Sequence, residues 1–534
     1  QSRAARSLGR LPSIGFAVYD IRPSATPAAS TLKVDASSLE NGRYAVKLDA
    51  NGDIASIFDK QLGRELLSSP ARLEIKTDNP RNWPAWNMDF DQQMAAPRTI
   101  VGGPAKVRVV ESGAARVALA VERKAEGSTF VQTIRLSAGD AGNRVEFGMD
   151  MDWMTREAHL KAVFPLAAAN GVATYNWDLG TIERKNNYDR QFEVASRQWV
   201  DLTDRSGSFG ATILTDCKNA SDKPDDSTIR LTLVRTPGVQ GGYPDQSTLD
   251  IGHHEFFYGL AGHAGDFRAA GTDWQGFRLN QPLVAFESPS HEGPLGKSLS
   301  FLSVSHPRVR VLAVKKAEQG DELVVRMVEM DGKLAPGVSL AFSAPLAGAR
   351  EVDGTEMPVA DVPLAEGKLA VDLGPFAIRT FAVKLGSAQA VPPAPSSVPI
   401  ALPFDHSVAK PDGTAGGAAF DASGRSLAAE LLPGEIDFGG VKFALGPASG
   451  LNAVSAQGQS IALPEGNHTR LYLLAAADGD RKARFKIDGK PFELTIQDWG
   501  GYIGQWDNRK WNVREEPVPA ALRPSAASPA IRTP

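Results

Sequence analysis

The stretch Asp150–Leu166, which reads DMDWMTREAHLKAVFPL, decides the fold class of this chain. Its beginning continues an alternating run from Val145 to Trp153, in which apolar side chains occupy every second position. The apolar members of that run are Val145, Phe147, Met149, Met151 and Trp153. A period of two is typical of a strand with one buried face. The run is therefore predicted to be a half-buried strand, with Asp150 and Asp152 on its solvated side.

Similar short runs recur along the chain and carry aliphatic or β-branched residues at spacing two. They are Val107–Val110, Ala115–Val121, Phe130–Leu136, Ile229–Val234 and Leu323–Val328. The 51 Gly and 36 Pro residues punctuate these runs, and few segments have a helical period. An all-β chain built around a large antiparallel sandwich is the simplest architecture for this pattern.

Composition sets limits on partners. The net charge of −4 gives no electrostatic reason to expect nucleic acid or an anionic membrane as a partner. No apolar run approaches the roughly 18 residues that cross a bilayer, so no membrane span is predicted. The single cysteine, Cys217, excludes an intrachain disulfide and a cysteine-rich zinc site.

The 534 residues are too many for one hydrophobic core, so several segments are expected. A Pro/Ala/Ser-rich stretch, expected to be extended, separates two β-rich regions. The predicted segments are a connector with a strand-like Ile14–Tyr19 (1–30), a large β-sandwich (31–386), a linker (387–400), an accessory β-sandwich module (401–512) and a tail (513–534).

A series of short motifs follows in one order over about residues 35–386. Besides the opening stretch, its members are Asn41–Tyr44, Ile57–Lys60, Asn82–Asp89, Phe192–Val194, Trp199–Asp201, Leu214–Lys218, Arg230–Pro237, His254–Phe256, Leu279–Pro282, Arg326–Glu329 and Gly374–Phe381. Together they resemble the carboxyl-terminal β-domain of the glycoside hydrolase family 38 α-mannosidases. The resemblance implies a large sandwich of the galactose-mutarotase type.

The resemblance also implies a chemistry. Enzymes of this family are expected to hydrolyse terminal α-mannosides with retention, using two carboxyl groups about 5–5.5 Å apart. A zinc ion is expected to grip the sugar. In the family these groups lie in an amino-terminal barrel and the domains joined to it, and no catalytic residue or zinc ligand can be assigned in this chain. The chain alone is therefore expected to be inactive.

The implied partners are the catalytic amino-terminal half and a mannose-containing glycan. The chain begins QSRAARSLGRLPSIGF, without an initiating Met or the apolar region of a signal peptide. We expect a fragment whose amino-terminal half is supplied by the same polypeptide or by a second chain. The accessory module and the single cysteine favour a periplasmic or extracellular bacterial location.

The stretch from Trp83 to Asp89 is the first candidate for a sugar-binding site. Trp83, Trp86 and Asp89 place two indoles and a carboxylate within seven residues. Indoles can stack on the apolar face of a sugar while the carboxylate accepts hydrogen bonds from its hydroxyls, and the resemblance places this loop near the catalytic pocket. The alternative is a loop whose tryptophans plug the edge of the sandwich and whose Asp89 caps a turn.

The sequence His253-His254-Glu255 invites a zinc interpretation, because imidazole and carboxylate are good ligands. Adjacent side chains on a strand point to opposite faces, however, so the two histidines cannot easily share one ion. A strand with one inward histidine is the simpler interpretation, and no metal ligand is predicted. The resemblance leaves His254 and Arg235 as candidates that face the substrate cleft.

The accessory module carries a second aromatic group. Trp499, Tyr502 and Trp506 could form a platform for carbohydrate, since aromatic surfaces bind the apolar faces of sugars. The same residues fit the core of a strand, turn and strand equally well, and both interpretations stay open.

The favoured hypothesis is the β-rich carboxyl-terminal portion of an α-mannosidase, shaping its substrate cleft. The alternative is a non-catalytic carbohydrate-binding protein on the same sandwich, with the tryptophans as its site. A third hypothesis, a mutarotase-like sugar isomerase, needs a paired base and acid in one cleft, for which His254 beside a glutamate is the hint.

Overall fold

The computed structural model describes residues 8–22, 29–288, 290–386, 397–414, 417, 419–438, 441–466, 468 and 470–500. The chain divides into two compact units, Gln1–Gln389 and Ala390–Pro534. The division falls inside the stretch predicted as a linker, 387–400. Strands make up most of the regular structure in the described part of both units, and the predicted all-β class is confirmed.

The first strands, in chain order, are Gly15–Ala17 (β1), Lys33–Val34 (β2), Ser38–Glu40 (β3), Tyr44–Leu48 (β4), Ile54–Asp59 (β5), Arg64–Glu65 (β6), Arg72–Thr77 (β7), Thr99–Ile100 (β8), Lys106–Ser112 (β9), Arg116–Ala125 (β10), Ser128–Ser137 (β11), Val145–Trp153 (β12), Ala158–Pro165 (β13), Val172–Trp177 (β14), Gly180–Lys185 (β15), Val194–Ala195 (β16), Trp199–Thr203 (β17), Phe209–Thr215 (β18), Ala220–Asp222 (β19), Thr228–Thr236 (β20) and Gly252–Ala264 (β21).

The remaining strands of the first unit are Ser298–Ser300 (β22), Leu302–Val304 (β23), Val309–Lys316 (β24), Leu323–Glu329 (β25), Ala335–Phe342 (β26), Leu346–Val352 (β27), Pro358–Asp361 (β28), Leu364–Ala365 (β29), Lys368–Leu373 (β30) and Ile378–Leu385 (β31). Those of the second unit are Ala409–Lys410 (β32), Leu427–Ala428 (β33), Glu435–Phe438 (β34), Val441–Ala444 (β35), Arg481–Ile487 (β36) and Lys490–Ile496 (β37).

Short helices interrupt the strands at Phe90–Met94 (α1), Phe267–Ala270 (α2) and Asp273–Asn280 (α3). Single 3₁₀ turns lie at Gly139–Gly142, Pro244–Thr248 and Ala429–Leu431. The Asp266 side chain caps α2 by accepting a hydrogen bond from the Arg268 backbone N–H, and Gly271 ends that helix at φ 66°. A glycine suits this left-handed position because it has no Cβ. In the described part of the chain, no helix is long and apolar enough to cross a membrane.

Three antiparallel sheets enclose the larger core of the first unit. One has nine strands in the order β15-β14-β17-β18-β21-β12-β11-β10-β9. A second has six strands, β16-β19-β20-β13-β7-β8, and a third has five, β2 to β6. The alternating residues of β12, from Val145 to Trp153, are buried in this core, whereas Asp150 and Asp152 are exposed. The predicted strand and its two faces are as the periodicity indicated.

Strand β13 is buried on both faces. Its residues Leu160, Ala162 and Phe164 belong to the apolar core. The residues that alternate with them, His159 and Lys161, are also buried, on the other side of the six-stranded sheet. That side therefore carries a polar layer covered by loops, which a simple pattern of one buried and one solvated face does not predict.

The stretch predicted as one sandwich, 31–386, contains two large hydrophobic cores and a small cluster of Trp199, Leu214, Ala261 and Phe267. The second core lies between the four-stranded sheet β23-β26-β30-β29 and the five-stranded sheet β24-β25-β31-β27-β28. It is built from residues such as Leu302, Met327, Leu340 and Phe381. A two-residue period shows that a strand buries one face but not which sheet covers it, so the sequence pattern does not separate the two cores.

The strand nearest the amino terminus of the first unit forms a small two-stranded sheet with a later strand. Strand β1 pairs antiparallel with β22, Gly15 lying opposite Ser300. In the second unit, β34 pairs with β35 and β36 with β37, both antiparallel, and β32 pairs with β33 in parallel.

Candidate functional site

The candidate site is the loop of residues 79–98 between β7 and β8, here called the tryptophan loop. Its two strands pair antiparallel in the six-stranded sheet, so the loop leaves and re-enters at one end of that sheet. At the same end, Ala158 of β13 lies opposite both Thr77 and Thr236. The loop therefore sits where β7 ends, β13 begins and β20 ends.

Trp83 and Trp86 are presented to solvent by a tight turn. Trp83 is 52% exposed and Trp86 is 86% exposed. The Trp83 carbonyl accepts hydrogen bonds from the backbone N–H groups of Trp86 at 2.8 Å and Asn87 at 2.9 Å. Trp83 has a φ of 50°, a left-handed conformation that is uncommon for a bulky residue. The exposed rings leave flat apolar faces free to contact a ligand.

Asp89 has its carboxylate engaged inside the loop. Its Oδ2 accepts a hydrogen bond from the Arg81 backbone N–H at 3.0 Å and lies 3.2 Å from Arg81 Nη1. Its carbonyl accepts from the Gln93 N–H at 3.0 Å as α1 begins. These contacts agree with the turn-closing alternative for Asp89, and its role in binding a sugar stays a prediction.

Arg235, predicted to face the cleft, anchors the tryptophan loop from beneath. Its Nε and Nη2 donate to the two carboxylate oxygens of Asp78 at 2.5 and 3.2 Å. The same guanidinium donates to the carbonyls of Pro84 at 2.7 Å and Ala85 at 3.3 Å, and to that of Asn87. One planar cation thus connects strand β20, the end of β7 and the turn that carries both tryptophans.

The segment 237–250 braces the loop from the other side. The side-chain oxygen of Gln240 accepts a hydrogen bond from the Trp83 backbone N–H at 3.0 Å. The Gly238 N–H donates to the Asp78 carbonyl at 2.8 Å. His254 belongs to the start of β21, and its Nε2 lies 2.6 Å from the Asp250 carbonyl oxygen. The structure therefore joins Arg235 to the tryptophan loop and directs His254 to Asp250.

A buried layer of charges supports α1, the second half of the loop. Lys161 Nζ lies 2.5 Å from a Glu193 oxygen and 3.0 Å from an Asp222 oxygen. The Gln93 amide of α1 donates to Glu193 at 2.6 Å, and the Gln93 carbonyl accepts from Arg230 at 3.1 Å. Because buried charges need partners, this network holds α1 against the sheet.

Burial also changes the proton affinities below the loop. His159 is buried, and neither ring nitrogen has a hydrogen-bond partner among the described residues. Burial, with the nearby cation Lys161, holds the pKa of His159 well below its usual value. Burial raises the pKa of Asp78 against the opposing effect of Arg235, and it likewise raises that of Glu193. His159 is consequently neutral at neutral pH.

Several residues of this site were not predicted from the sequence. Asp78, Gln240 and Glu193 support the loop from three separate segments, and Gln93 is the loop residue that contacts Glu193. Asp78 directly follows strand β7, a position that often carries polar side chains. That position is the signal by which the sequence could have indicated Asp78 as a site residue. Its partner Arg235 lies 157 positions away, so no local spacing reveals the pair.

The aromatic group of the second unit is described in part. The Trp499 ring stacks on Phe420 with centroids 4.8 Å apart, and the Arg425 guanidinium lies 5.4 Å from the Trp499 ring centroid. Tyr502 and Trp506 lie outside the described residues. The carbohydrate platform of the accessory module stays a prediction.

Metal-binding potential lies elsewhere than the tryptophan loop. In the described part of the chain, the ligand atoms close enough to share an ion belong to Asp150, His253 and Glu255, on β12 and β21. Within the loop, Asp89 and Asp91 both pair with Arg81. That donor set, two carboxylates neutralised by one guanidinium, does not fit a zinc ion.

Three family models match the chain. Residues 39–246 match the glycosyl hydrolases family 38 C-terminal domain, and residues 308–381 match the family 38 C-terminal beta sandwich domain. The first match spans the tryptophan loop and the larger core, and the second lies in the smaller core. Residues 396–526 match an AziU2-like beta-sandwich domain.

Similar curated proteins are α-mannosidases. The chain is 30% identical over 400 residues to human alpha-mannosidase 2C1. The alignment covers 71% of this chain and 37% of that protein. It is 27% identical over 401 residues to alpha-mannosidase G of Dictyostelium discoideum, covering 70% of this chain and 36% of that protein. The chain thus spans little more than a third of the length of these relatives.

Solved structures agree on the fold. A glycosyl hydrolase family 38 protein from Enterococcus faecalis superposes with a TM-score of 0.56 at 19% identity, covering 68% of this chain and 46% of that one. An alpha-mannosidase from Enterococcus faecalis V583 also gives 0.56, at 18% identity, covering 68% and 44%. At these identities the likeness shows the fold.

Proposed function

Because the chain resembles the C-terminal region of the family 38 α-mannosidases, we propose that its tryptophan loop forms one wall of the sugar cleft of an α-mannosidase. The function is associated with glycoside hydrolase family 38. Hydrolysis of terminal α-mannosides with retention is the specific activity that we propose for the complete enzyme. The contribution of this chain is to bind and orient the sugar.

The exposure of Trp86, at 86%, is the observation that carries this proposal. A large apolar ring that is both exposed and held by a defined turn is suited to contact a ligand. The C–H groups on one face of a mannose ring would lie against the indole, whose apolar area leaves water on contact. Trp83, half exposed and two residues of turn away, would extend the same surface.

Arg235 acts in this proposal as a positioning residue. Its contacts with Asp78 and the loop carbonyls fix the turn before a sugar binds. Less conformational entropy of the loop is therefore lost on binding. The guanidinium is engaged by the loop backbone and would act on the sugar through the two tryptophans.

The reacting carboxyl groups and a zinc ion would come from the rest of the enzyme. A retaining mechanism needs one carboxylate at the anomeric carbon and one acid at the leaving oxygen. We assign neither to this chain. In the complete enzyme the metal would hold the vicinal hydroxyls of the sugar, while this chain closes one side of the cleft against water.

Calorimetric titration of the purified chain with methyl α-mannoside tests the binding role. We expect Trp86→Ala to weaken binding about tenfold, the effect of losing one contact face of roughly 60 Å². Trp177→Ala, which removes another exposed indole on β14, is the matched control and should leave the affinity unchanged. Equal effects of the two variants would overturn the proposal.

Intact mass and turnover of p-nitrophenyl α-mannoside, with and without a chelator, test the enzymatic role. Turnover that the chelator abolishes, in material that contains a second polypeptide, would support a working α-mannosidase that includes this chain. A single species of 56.9 kDa that binds mannosides without cleaving them would contradict it.

The second candidate is a carbohydrate-binding protein without catalysis. It is favoured by one observation: the described supports of the tryptophan loop, Asp78, Arg235 and Gln240, all belong to this chain. Such a site needs no second polypeptide to form. The mass and turnover measurement distinguishes the two candidates.

A further inference from the structure

Four polar side chains stand together on the solvated face of the nine-stranded sheet. Strand β12 pairs antiparallel with β21, which puts Asp150 opposite Glu255 and Asp152 opposite His253. These two cross-strand pairs are two residues apart on each strand, so all four side chains share one face. His254 lies between His253 and Glu255 in sequence and belongs to the other face.

The imidazole of His253 lies at the centre of this group. Its Nδ1 is 2.9 Å from Asp152 Oδ1, a hydrogen-bond distance. Its Nε2 is 3.2 Å from Glu255 Oε1 and 3.9 Å from Asp150 Oδ1. With the proton on Nδ1 donated to Asp152, Nε2 is unprotonated and its lone pair can coordinate a cation.

We propose that Asp150, Glu255 and Nε2 of His253 bind a divalent transition-metal cation of the zinc class. Asp152 holds the imidazole from behind, the arrangement by which a carboxylate orients a metal-ligating histidine. One imidazole nitrogen and two carboxylate oxygens suit zinc, and they leave a fourth position of the tetrahedron for water or a donor from a ligand. The ligand atoms already lie within 4.8 Å of one another.

The sheet supplies the rigidity that such a site needs. Strand β12 is flanked by β11 and β21, and β21 by β12 and β18, so neither is an edge strand. Asp150 and Asp152 have strand partners on both sides, β11 and β21, whereas His253 and Glu255 pair with β12 alone, because the pairing of β21 with β18 runs from Tyr258 to Ala264. Their side chains are exposed, which gives a cation from solvent direct access.

The competing occupant of the site is a proton. Asp152, and after it Glu255, raise the pKa of His253 above its usual value, because both accept hydrogen bonds from the imidazolium. Near neutral pH the metal must displace part of that proton, since a coordinating Nε2 has to be unprotonated. Binding is therefore expected to tighten as the pH rises and to release protons.

Calorimetry of the chelator-treated, dialysed chain with ZnCl₂ at pH 7, in two buffers of different ionisation enthalpy, tests the site. We expect binding with proton release, a loss of at least about tenfold for His253→Ala, and a loss of roughly 10–100-fold for Asp152→Asn, which touches the imidazole alone. His291→Ala, which removes another exposed histidine beside an acidic residue, should leave binding unchanged.

Two results would overturn the proposal. If His253→Ala leaves the zinc affinity unchanged, or if CaCl₂ binds the chain as tightly as ZnCl₂, the group is an acidic surface without a coordinating imidazole. Thermal unfolding of each variant shows that it is folded, which the exposure of all four side chains leads us to expect. The inference does not depend on the proposed sugar-binding function.

Discussion

Arg235 and Asp78, 157 positions apart in sequence, form a bidentate pair beneath the tryptophan loop, with Nε to Oδ2 at 2.5 Å and Nη2 to Oδ1 at 3.2 Å. The Asp78 side chain is 2% exposed and that of Arg235 is 21% exposed. The pair is therefore mostly removed from water, and its guanidinium also satisfies carbonyls of the loop. Stability and loop position are coupled through these two residues.

Replacing Arg235 with Ala should destabilise the first unit by roughly 3–5 kcal/mol, because Asp78 is left as a buried carboxylate without its cation. Arg205→Ala is a matched control, since Arg205 pairs with Asp226 at 2.8 Å but both side chains are largely exposed. That control should cost less than about 1 kcal/mol. Urea unfolding of the two variants measures the difference, and equal losses would contradict the buried anchor.

Trp86 and Trp153 should separate binding from stability. Trp86→Ala should change the free energy of unfolding by about 0.5 kcal/mol or less, because the ring is exposed. Trp153 is buried, and its indole N–H donates to Thr236 Oγ1 at 2.9 Å, so Trp153→Ala should cost about 3–5 kcal/mol.

The two variants should rank the other way in binding. The affinity for methyl α-mannoside should fall in Trp86→Ala and stay unchanged in Trp153→Ala, measured at a temperature at which Trp153→Ala is folded. An unfolding loss of several kcal/mol for Trp86→Ala would mean that its ring packs in the core and is not a ligand surface.

Strand predictions succeeded where aliphatic or aromatic side chains recur at every second position, in β12 with one partly solvated face and in β20 and β25 with both faces largely buried. The run Val145–Trp153 is strand β12 over that range, and the runs at 229–234 and 323–328 lie inside β20 and β25. In each run, the alternation of side chains along one strand is enough to predict the strand, because it depends on no distant partner. The segment Trp83–Asp89, predicted to be a loop, lies between β7 and β8 in the structure.

Features that depend on distant partners were not predictable. His159 and Lys161 of β13 are polar at alternate positions, the pattern of a solvated face, yet α1 and the segment around Glu193 cover them. Pairing with segments distant in the sequence decides this burial, and one sequence carries no record of which segments meet.

His159 should make stability depend on pH. Its pKa in the folded chain is well below 6.5, chiefly through burial and then through Lys161, with further cations on neighbouring strands: Lys76, Arg230 and Arg235. An unfolded histidine titrates near 6.5, so the unfolded state binds the proton more tightly. The stabilising contribution is therefore present above pH 6.5 and is lost as the pH falls toward the folded pKa, by up to about 1.4 kcal/mol per unit.

His159→Leu removes this proton and no hydrogen bond to a described residue. Between pH 6.5 and 5, the free energy of unfolding should fall more in the natural chain than in His159→Leu, by up to about 1.5 kcal/mol. Asp78 and Glu193 have raised pKa values, act with the opposite sign and remain in both proteins. Urea unfolding at the two pH values measures the difference, and parallel curves would contradict a neutral buried His159.

Gly238 and Gly241 offer a test of the loop's packing that leaves every charge in place. A Cβ at Gly238 would lie 2.0 Å from Asn79 Oδ1 and 3.1 Å from Asn79 Cα, at the start of the tryptophan loop, whereas a Cβ at Gly241 meets nothing within 4 Å. Gly238→Ala must therefore push the Asn79 side chain aside and shift its backbone by a few tenths of an ångström, at an expected cost of roughly 1–3 kcal/mol, whereas Gly241→Ala should be nearly neutral.

The displacement should also weaken mannoside binding in Gly238→Ala, because Trp83 and Trp86 lose the support of Gln240 and Arg235 together. The affinity of Gly238→Ala is measured calorimetrically, with Gly241→Ala as the control. Gly241 lies in the same segment, 237–250, and its substitution causes no clash. A stability loss in Gly238→Ala without any loss of affinity would show that the position of the loop does not govern sugar binding. That outcome would assign Arg235 and Asp78 to stability alone.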